Sequence, residues 1–418
     1  MKIAVVGTGI SGLVAAYLLH RQHEITVFEA NDYIGGHTHT LDVTSKGRSY
    51  AIDTGFIVFN EKTYPNFLRL MRHLGVPWQK SDMSFSVKCG RTGLEFRPST
   101  LNTLFVQRRN LIRPAFYRML ADLFRFKKQA HELLQTDLGN QTTLDVFLRE
   151  KNYSNWFVNY FIVPMGSAIW SASPEQFREF PARYFTEFFE NHGFLNVTDQ
   201  PQWLVLKGGS RQYIDPLTRG FRERIRLNCP VLEIRRNMEG VDIQAKGCEL
   251  ETFDQVVIAT HSDQALKVLA DPTETEKEVL GSIEYQENET ILHTDHTVLP
   301  RNSAAWASWN YYIPKATQER VAVTYDMNIL QSLDADVEFC VSLNMADLID
   351  RDKILQELTY HHPVYTLDSL AARKRRSEIN GQHRTYYCGA YWYYGFHEDG
   401  VKSALDVGRM FELDFSYE

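Results

Sequence analysis

The chain has 418 residues, of which 44% are hydrophobic and 23% charged, and its formal net charge is −7. This length and composition are typical of a globular protein with room for two domains, and the acidic balance gives no general basis for binding nucleic acid. The five cysteines are scattered without any Cys-x-x-Cys spacing, which argues against a disulfide framework or a zinc site. We therefore expect a protein of a reducing, cytoplasmic compartment, with no metal and no nucleic-acid partner.

The N-terminus has the pattern of a strand, a glycine-rich turn and a helix. Residues 2–6 form a short apolar run, and a helical pattern begins in the turn that contains Gly7, Gly9, Ser11 and Gly12. In this context the Gly-x-Gly-x-x-Gly spacing predicts a dinucleotide site, because such glycines allow a tight turn, close approach of a diphosphate and close helix packing. The helix N-terminus then offers N–H groups to the phosphates. An ordinary α/β turn is the alternative.

A second strand pattern, EITVFEA, ends at Glu29. In a dinucleotide fold an acidic side chain at this place accepts hydrogen bonds from the ribose hydroxyls. Its negative charge would repel a 2′-phosphate, so the pattern favours a cofactor without one.

The next segments, NDYIGGHTHT and YAIDTGFIVFN, carry two further motifs. They resemble the flavin-containing amine oxidase superfamily, which includes the protoporphyrinogen oxidases and the carotenoid and phytoene desaturases. There a Gly-Gly-Arg-x-x-Thr motif is followed by an Asp-x-Gly turn, here at Asp53. The resemblance implies FAD, with cofactor contacts at Gly35, Gly36, His37, Thr40, Thr54, Gly55 and Phe56. His37 replaces the usual arginine and, being shorter and mostly neutral near pH 7, is either a phosphate contact or an exposed loop histidine.

Residues 108–128 carry seven basic residues and one Asp among interleaved apolar side chains. Pro114 predicts an early position of a helix in this segment. An amphipathic basic helix can rest on an anionic bilayer, and the alternative is a solvated face of a helix that packs on the core. Further along, Ser173 and Gln176 predict a capping box at the start of another helix.

Residues 203–217 predict a strand, a turn at Gly208–Gly209 and a helix, similar to the segment with which the desaturases re-enter their flavin domain. Residues 229–260 predict a hairpin and then a buried strand of the parallel-sheet type. The resemblance places Val231 on the adenine side of the flavin cofactor, in contact through its backbone. A valine in any core strand would look the same.

Aromatic residues are concentrated in 155–170 and 304–314. Trp309 and Tyr312 are candidates for contact with the substrate, although strand alternation lets only some of these rings share one face. Packing in a core is the alternative for each ring.

His293 and Asp295 are candidates for acid–base partners in an oxidation. The two residues alternate on a predicted strand, and a structural role is the alternative. No Ser-His-Asp arrangement or metal-ligand spacing is evident.

The end of the chain has a strand pattern, RTYYCGAYW, followed by a helical pattern that starts at HEDG. It resembles the closing motif of the superfamily, in which a glycine, an acid and a helix face the diphosphate and ribityl chain of FAD. The resemblance implies that Gly389, Glu398, Asp399 and Gly400 bind the cofactor. Tyr391, Trp392 and Tyr394 are candidates for substrate contact, either as cation–π partners of an amine or by packing on an apolar chain.

Together these segments predict an α/β fold (α+β overall). A Rossmann-like FAD-binding domain is built from three separated segments, 1–60, 203–262 and 371–418. An inserted mixed substrate-binding domain comprises 61–202 and 263–370.

The segments GFIVFNEKTYPNFLRLMRHLGV, LHTDHTVLP and WASWNYY are similar to a branch that resembles the flavoprotein portion of plant cyclopropane fatty-acid synthases. The resemblance implies an FAD-dependent oxidase or desaturase that acts on C–H bonds of a long apolar substrate, a fatty acyl chain of a membrane lipid. The alternatives are a flavin amine oxidase and an FAD-binding partner protein of a lipid-modifying enzyme.

Two absences in the sequence refine this expectation. Residues 366–384 contain no cysteine, where covalently flavinylated amine oxidases carry theirs, so we expect non-covalent FAD. No second dinucleotide fingerprint follows a strand, so the substrate itself is the expected electron donor. We expect a cytoplasmic protein, with the inner membrane face as a candidate site of peripheral contact through 108–128.

Overall fold

A computed structural model describes residues 1–135, 142–195, 201–316 and 319–415. Three short stretches of the predicted substrate-binding domain and the last three residues of the predicted FAD-binding domain lie outside that description. The strands are β1 (Lys2–Val6), β2 (Glu24–Phe28), β3 (Thr40–Ser45), β4 (Arg48–Asp53), β5 (Val58–Asn60), β6 (Trp78–Lys80), β7 (Phe85–Cys89), β8 (Glu95–Phe96), β9 (Trp203–Leu206), β10 (Ile225–Arg226), β11 (Val231–Arg236), β12 (Val241–Ala245), β13 (Glu251–Phe253), β14 (Gln255–Ile258), β15 (Glu284–His293), β16 (Trp309–Ile313), β17 (Val323–Asp326), β18 (Cys340–Leu343), β19 (Ile354–Val364) and β20 (Thr385–Tyr387).

The α-helices are α1 (Ile10–Leu19), α2 (Pro65–Leu74), α3 (Leu101–Leu104), α4 (Pro114–Leu134), α5 (Leu144–Glu150), α6 (Asn155–Phe157), α7 (Val163–Trp170), α8 (Pro174–Arg178), α9 (Ala182–Asn191), α10 (Ile214–Thr218), α11 (Ser262–Val268), α12 (Glu274–Gly281), α13 (Met327–Leu330), α14 (Leu367–Lys374), α15 (Arg376–Ile379) and α16 (His397–Met410). Two predicted helix starts are confirmed. Pro114 is the first residue of α4, and the Ser173 side chain accepts a hydrogen bond from the Gln176 N–H in a capping box.

A five-stranded parallel sheet draws its strands from widely separated parts of the chain. Its order is β10-β2-β1-β14-β20, and the central pairs run in parallel register, for example Val5 with Val27 and with Val257. Both faces are covered, which explains the nearly continuous apolar sequences of β1 and β14. Because the strands are parallel, their carboxyl ends meet at one edge, where ligands bind in folds of this kind.

Beside this sheet lies the predicted hairpin, in which β11, β12 and β13 form an antiparallel sheet. A larger sheet has the order β19-β15-β18-β17-β16-β7-β8, and its strand pairs are antiparallel except for the parallel pair β16–β7. One of its faces carries Leu292 and Tyr311 into the largest hydrophobic core, which α4, α7 and α9 also fill. The opposite face carries Ile291 into a smaller hydrophobic cluster, and Tyr312 packs against that cluster. The predicted mixed α/β fold class is thus confirmed.

The last strand is shorter than the sequence pattern indicates. The Cys388 N–H still donates to the Ile258 carbonyl (3.1 Å), but the Gly389 N–H donates to the Ser403 hydroxyl (2.9 Å) instead of continuing the sheet. A 3₁₀ turn at Ala390–Trp392 follows. A side chain of α16 therefore ends the strand, which no local pattern foretells. Over the described residues, no helix is both long and apolar enough to cross a membrane.

Candidate active site

The turn between β1 and α1 forms an open cradle of backbone. Gly7 has a positive φ of 102°, and a Cβ on Gly12 would overlap the carbonyl oxygen of Gly7. A Cβ on Gly36 would lie 3.1 Å from the Cα of Gly9, yet a Cβ on Gly9 would meet no described atom within 4 Å. The backbone of Gly9 is therefore open to an approaching anion, as the glycine spacing predicts.

The first and last helices begin side by side at this cradle. A Cβ on Gly400 would lie 2.5 Å from Ile10 Cγ2 and 3.0 Å from Ser11 Oγ, and a Cβ on Gly408 would lie 2.7 Å from Leu18 Cδ1. These contacts, one near the start and one near the end of each helix, show that α1 and α16 run parallel. Two helix N-termini therefore converge beside Ser11, and their partial positive charges favour a bound anion.

Glu29 lies at the carboxyl end of β2 and is only 5% exposed. One carboxylate oxygen accepts from the Thr8 N–H (2.9 Å) and hydroxyl (2.5 Å), and the other accepts from the Asn31 N–H (2.9 Å). No Lys or Arg of the described ranges forms an ion pair with Glu29, so its oxygens have acceptor capacity left for a hydroxyl.

The adenine-side candidate, Val231, begins β11 and is partly buried. It comes two residues after Cys229, whose N–H donates to the backbone carbonyl of Glu29 (2.8 Å). This hydrogen bond places the start of β11 beside the acid that was predicted to bind the ribose.

Thr40, which ends the Gly-Gly motif, and Asp53, which begins the Asp-x-Gly turn, form hydrogen bonds within the protein. Thr40 Oγ1 donates to Asp53 Oδ1 (2.6 Å), and the Ser210 N–H and hydroxyl also donate to that carboxylate (2.8 and 2.9 Å). Burial raises the pKa of Asp53 to about 6 despite these donors. The pair thus fixes the Gly208–Gly209 turn against β4. The hydroxyl of Thr40 supports this turn through its hydrogen bond to Asp53.

Thr54 and Phe56 belong to a neighbouring edge of the site. The hydroxyls of Thr54 and Tyr360 lie 2.7 Å apart. The Phe56 ring stacks on the imidazole of His397, the first residue of α16, with centroids 3.5 Å apart and planes at 9°. This stacking joins the second motif to the last helix.

His37 is not an exposed loop residue. Its carbonyl lies where a Cβ on Gly55 would be, and its ring is surrounded by Tyr360, His362 and His261, with centroids 5.0, 5.5 and 6.0 Å away. Burial lowers the pKa of His37 to about 3, so the imidazole is neutral. Its Nε2 is buried without a hydrogen-bond partner among the described residues, which leaves it available to a polar ligand.

His261, His362 and His397 were missed by the sequence analysis. His261 comes three residues after the carboxyl end of β14, and the rule that ligands bind at carboxyl ends of parallel strands could have identified it. His362 comes from β19, far away in sequence, and no local signal identifies it. In the described part of the chain no group of three or more His, Cys, Asp or Glu residues is placed to hold a metal ion.

The two acids at the start of α16 have different partners. Glu398 accepts from the Asn66 N–H (3.1 Å) and side chain (2.6 Å) and from the Phe67 N–H (2.9 Å), so both its oxygens cap α2. Asp399 accepts from the Phe396 N–H (2.9 Å) through one oxygen, and burial raises its pKa to about 7. Asp399 is therefore the better placed of the two for a cofactor hydroxyl.

The aromatic run before α16 divides between two cores. Tyr391 lies over Gly389, since a Cβ there would overlap its ring, and Tyr391 and Trp392 pack beside the β11–β13 sheet. Tyr394 instead packs against the core of the substrate region, where its ring stacks on Tyr184 at 4.7 Å. Of these three candidates, only Tyr394 packs against the core that α4, α7 and α9 fill.

Tyr184, Tyr365, Arg373 and Tyr394 form a cluster that we call the aromatic junction. It contains one cation. The Arg373 guanidinium lies over the rings of Tyr184 and Tyr365, at 5.2 and 5.1 Å from their centroids, and donates to the Tyr184 hydroxyl (3.3 Å). The carboxyl of Asp399 is near enough to interact electrostatically with four side chains, those of Tyr184, Tyr365, Tyr394 and Arg373. The aromatic junction therefore adjoins the start of α16.

The remaining candidates lie elsewhere in the large sheet. Trp309 faces the main core and packs on Tyr325 at 5.2 Å, whereas Tyr312 contacts the cluster on the opposite face. His293 is buried, with its Nε2 at 2.8 Å from the Ser342 hydroxyl and its Nδ1 accepting from the Asp295 N–H (3.0 Å). Because successive side chains of a strand alternate, these candidates do not share one site.

The residues around the cradle fit a dinucleotide such as FAD. Open backbone at Gly9 and two converging helix N-termini suit a diphosphate, Glu29 suits a ribose, and the unpartnered Nε2 of His37 offers a further polar contact. Asp399 suits a ribityl hydroxyl.

Comparisons with known proteins agree with this geometry. The family model described as "Flavin containing amine oxidoreductase" matches residues 10–308. The flavin-containing amine oxidase A of Sus scrofa is 23% identical over 277 residues, which cover 62% of this chain and 49% of that protein. The chain spans about half or less of the length of the curated relatives that it matches.

Two solved structures share the fold over almost the entire chain. Cyclohexylamine oxidase from Brevibacterium oxydans IH-35A superimposes with a TM-score of 0.69 at 15% identity, covering 98% of this chain and 99% of that chain. A CLA-producing fatty acid isomerase from P. acnes has a TM-score of 0.69 at 16% identity and covers 98% of each chain. At these identities the likeness shows the fold alone.

Proposed function

The chain belongs to the flavin-containing amine oxidoreductase family, and on that premise we propose that it is an FAD-dependent oxidoreductase acting on a long apolar substrate. The bond oxidised is a C–H bond, and the substrate is a fatty acyl chain of a membrane lipid. The observation that carries this choice of substrate is the aromatic junction, in which a cation already lies over two tyrosine rings.

The protein's part in cofactor binding follows from the cradle. The N-termini of α1 and α16 hold the diphosphate, Glu29 binds the ribose and Asp399 orients the ribityl chain. When bound, FAD supplies the two-electron acceptor for C–H oxidation. The cofactor is non-covalent in this proposal. The absence of a cysteine from residues 366–384 supports this.

The junction selects the substrate by charge and by apolar area. Arg373 repels an ammonium group that would otherwise lie against Tyr184 and Tyr365, because like charges at short range in a buried site are unfavourable. The same guanidinium can pair with the anionic head group of a lipid. Phe188 and Phe396, whose rings stack 5.1 Å apart beside Tyr394, extend the apolar surface for an acyl chain. A solved structure of the same fold is named a fatty acid isomerase, which supports this substrate class.

Oxidation of an amine is the second candidate function. The family description and the relatives named as amine oxidases favour it, as does the buried carboxyl of Asp399 near three tyrosine rings. Arg373 opposes it.

Anaerobic reduction of the flavin tests the proposal. The purified holoprotein is mixed without oxygen with phospholipid vesicles or free fatty acids and, separately, with polyamines and aromatic amines. We expect bleaching of the flavin bands by the lipids. Bleaching by amines alone would establish the amine oxidase instead. Protein that gains no flavin absorbance with added FAD would contradict both.

A flavin that no substrate reduces, together with co-purification of a methyltransferase-like protein, would indicate the FAD-binding partner of a lipid-modifying enzyme. That outcome would also overturn the proposed oxidation.

A further inference from the structure

The segment from Leu101 to Lys128, which we call the basic apolar surface, exposes large hydrophobic side chains. Ile112 is 84% exposed, Leu101 77% and Phe124 61%, and Leu111 and Tyr117 are also exposed. Apolar side chains of this size leave water only when a partner covers them, and a contiguous group of them marks an interaction site.

The exposed side chains are held close together. The Tyr117 hydroxyl donates to the Leu111 carbonyl (3.0 Å), and the Tyr117 ring packs 6.0 Å from that of Phe105, which directly follows α3. Tyr117 and Phe124 lie seven residues apart on α4, and therefore on one face of the helix. The surface thus runs from α3 across the start of α4 and along its outer face.

The inner face of α4 already has its partners. Phe116, Met119 and Phe126 are buried in the core of the substrate region. The stability of the helix therefore comes from this inner face, and folding gives no reason for the apolar residues on the outer one.

The charges around the surface are those that an anionic partner requires. The guanidinium of Arg108 donates to the carbonyl of Phe105 and the side chain of Asn102, and that of Arg109 donates to the carbonyl of Gly93. These acceptors are neutral, so the bonds orient both guanidinium groups without cancelling their charge.

The one acidic residue of the surface is occupied. Asp122 is buried between Arg118 (3.4 Å) and Arg125 (3.0 Å). The same surface carries seven basic residues, whereas the net charge of the whole chain is −7. The positive charge is therefore local to this surface.

We propose that the basic apolar surface docks on an anionic lipid bilayer. Leu111 and Ile112, just before the first residue of α4, enter the interface, while Arg108, Arg109 and Arg113 contact lipid phosphates. An apolar tip with a basic rim is the combination that binds peripheral proteins to anionic membranes. The proposal does not depend on the flavin chemistry.

Co-sedimentation with vesicles tests this docking. The full chain with its bound flavin is mixed with vesicles of phosphatidylcholine alone or of equimolar phosphatidylglycerol and phosphatidylcholine. We expect binding to the anionic vesicles that weakens as salt is added. The triple variant R108Q/R109Q/R113Q should bind them on the order of a hundredfold more weakly, since each basic residue near the surface contributes on the order of a tenfold factor or less.

The double variant L111S/I112S should also lose binding, whereas M238S/L250S is the matched control. Met238 and Leu250 are 94% and 61% exposed but lie outside the surface, so that variant should bind like the original chain. Flavin absorbance and circular dichroism verify folding. Equal binding of all variants, absence of binding to anionic vesicles, or a dimer that dissociates in L111S/I112S would each overturn the proposal.

Discussion

The cofactor cradle and the aromatic junction are adjacent, but the chain builds them by different means. The cradle depends on glycine backbone in close contact with its neighbours, as where Gly12 packs against the Gly7 carbonyl and Gly400 against the side chain of Ile10. The junction depends on side chains from α9, α14, the residue after β19 and the turn before α16. Backbone sites tolerate almost no added atom, whereas side-chain sites can be altered stepwise, so the two regions should respond to substitution in different ways.

The strongest test of the cradle is Gly12→Ala. The added Cβ would overlap the Gly7 carbonyl oxygen, so we expect loss of nearly all bound flavin and about 1–3 kcal/mol lower free energy of unfolding. The flavin-to-protein absorbance ratio and urea unfolding measure the two effects. Gly281→Ala is the control, because its Cβ would meet Leu266 Cδ2 only at 3.5 Å. Full flavin content in Gly12→Ala would show that this contact is dispensable.

The next largest effect is expected from Asp399→Asn in the flavin-free protein. Burial raises the pKa of Asp399 to about 7, so the folded state binds this proton more tightly than the unfolded state does. The contribution of the protonated Asp399 carboxyl to folding stability is complete below the ordinary pKa of an aspartate. That contribution is lost as the pH rises through about 7. Relative to the original chain, the variant should therefore gain about 2 kcal/mol between roughly pH 5 and pH 6.5.

Urea unfolding at several pH values measures that difference. Asp263→Asn is the control, since Asp263 occupies the first turn of α11 and is exposed. A pH-independent difference for Asp399→Asn would contradict the assigned burial effect.

Arg373→Met probes the junction directly. Removal of the guanidinium should raise the fatty acid concentration needed for half-maximal flavin bleaching about tenfold, as expected for one charged hydrogen bond, and should increase bleaching by polyamines. Anaerobic titration measures both. Arg375→Met is the matched control on the same segment, because Arg375 pairs with Glu378 and Glu278. The same response from both variants would remove Arg373 from substrate selection.

Tyr391 and Tyr394 separate the two regions within one short run. Tyr394→Leu loses the stack on Tyr184 and should slow flavin reduction roughly threefold to tenfold while flavin content stays unchanged, given the usual strength of an aromatic pair. Tyr391→Leu uncovers Gly389 and should lower flavin retention instead. Stopped-flow bleaching and the absorbance ratio distinguish the two, and the opposite pattern would reverse the assignment.

His293→Gln should have the smallest effect on catalysis. Its hydrogen bonds to Ser342 and Asp295 lie in a buried network, so we expect about 1–2 kcal/mol lower stability and flavin reduction within roughly twofold of the original rate. A much larger drop in rate would restore His293 as an acid–base candidate.

The sequence predicts the cradle better than the junction for a physical reason. The glycines of the first turn and the acid at the end of β2 act within their own strand, turn and helix, so their spacing identifies them. The α/β class and the flavoprotein oxidoreductase family, both expected from these motifs, are confirmed.

Tertiary packing decides what the motifs leave open. Glu398 matches the closing motif as well as Asp399 does, yet it caps α2 because α2 begins beside it. Tyr184, Tyr365 and Arg373 show no local pattern, because each becomes part of the junction only when distant segments meet. The predicted domain boundaries and cofactor contacts stay predictions.

The pairing of α1 with α16 also bears on when the protein can first bind its cofactor. Ile10 and Gly400 belong to opposite ends of the chain, so one half of the anion site leaves the ribosome on the order of tens of seconds before the other, at usual rates of synthesis. The nascent chain must therefore keep its first helix and turn intact, or form them late, without help from the ligand. We therefore expect the cofactor to bind late in folding, once α16 has packed on α1.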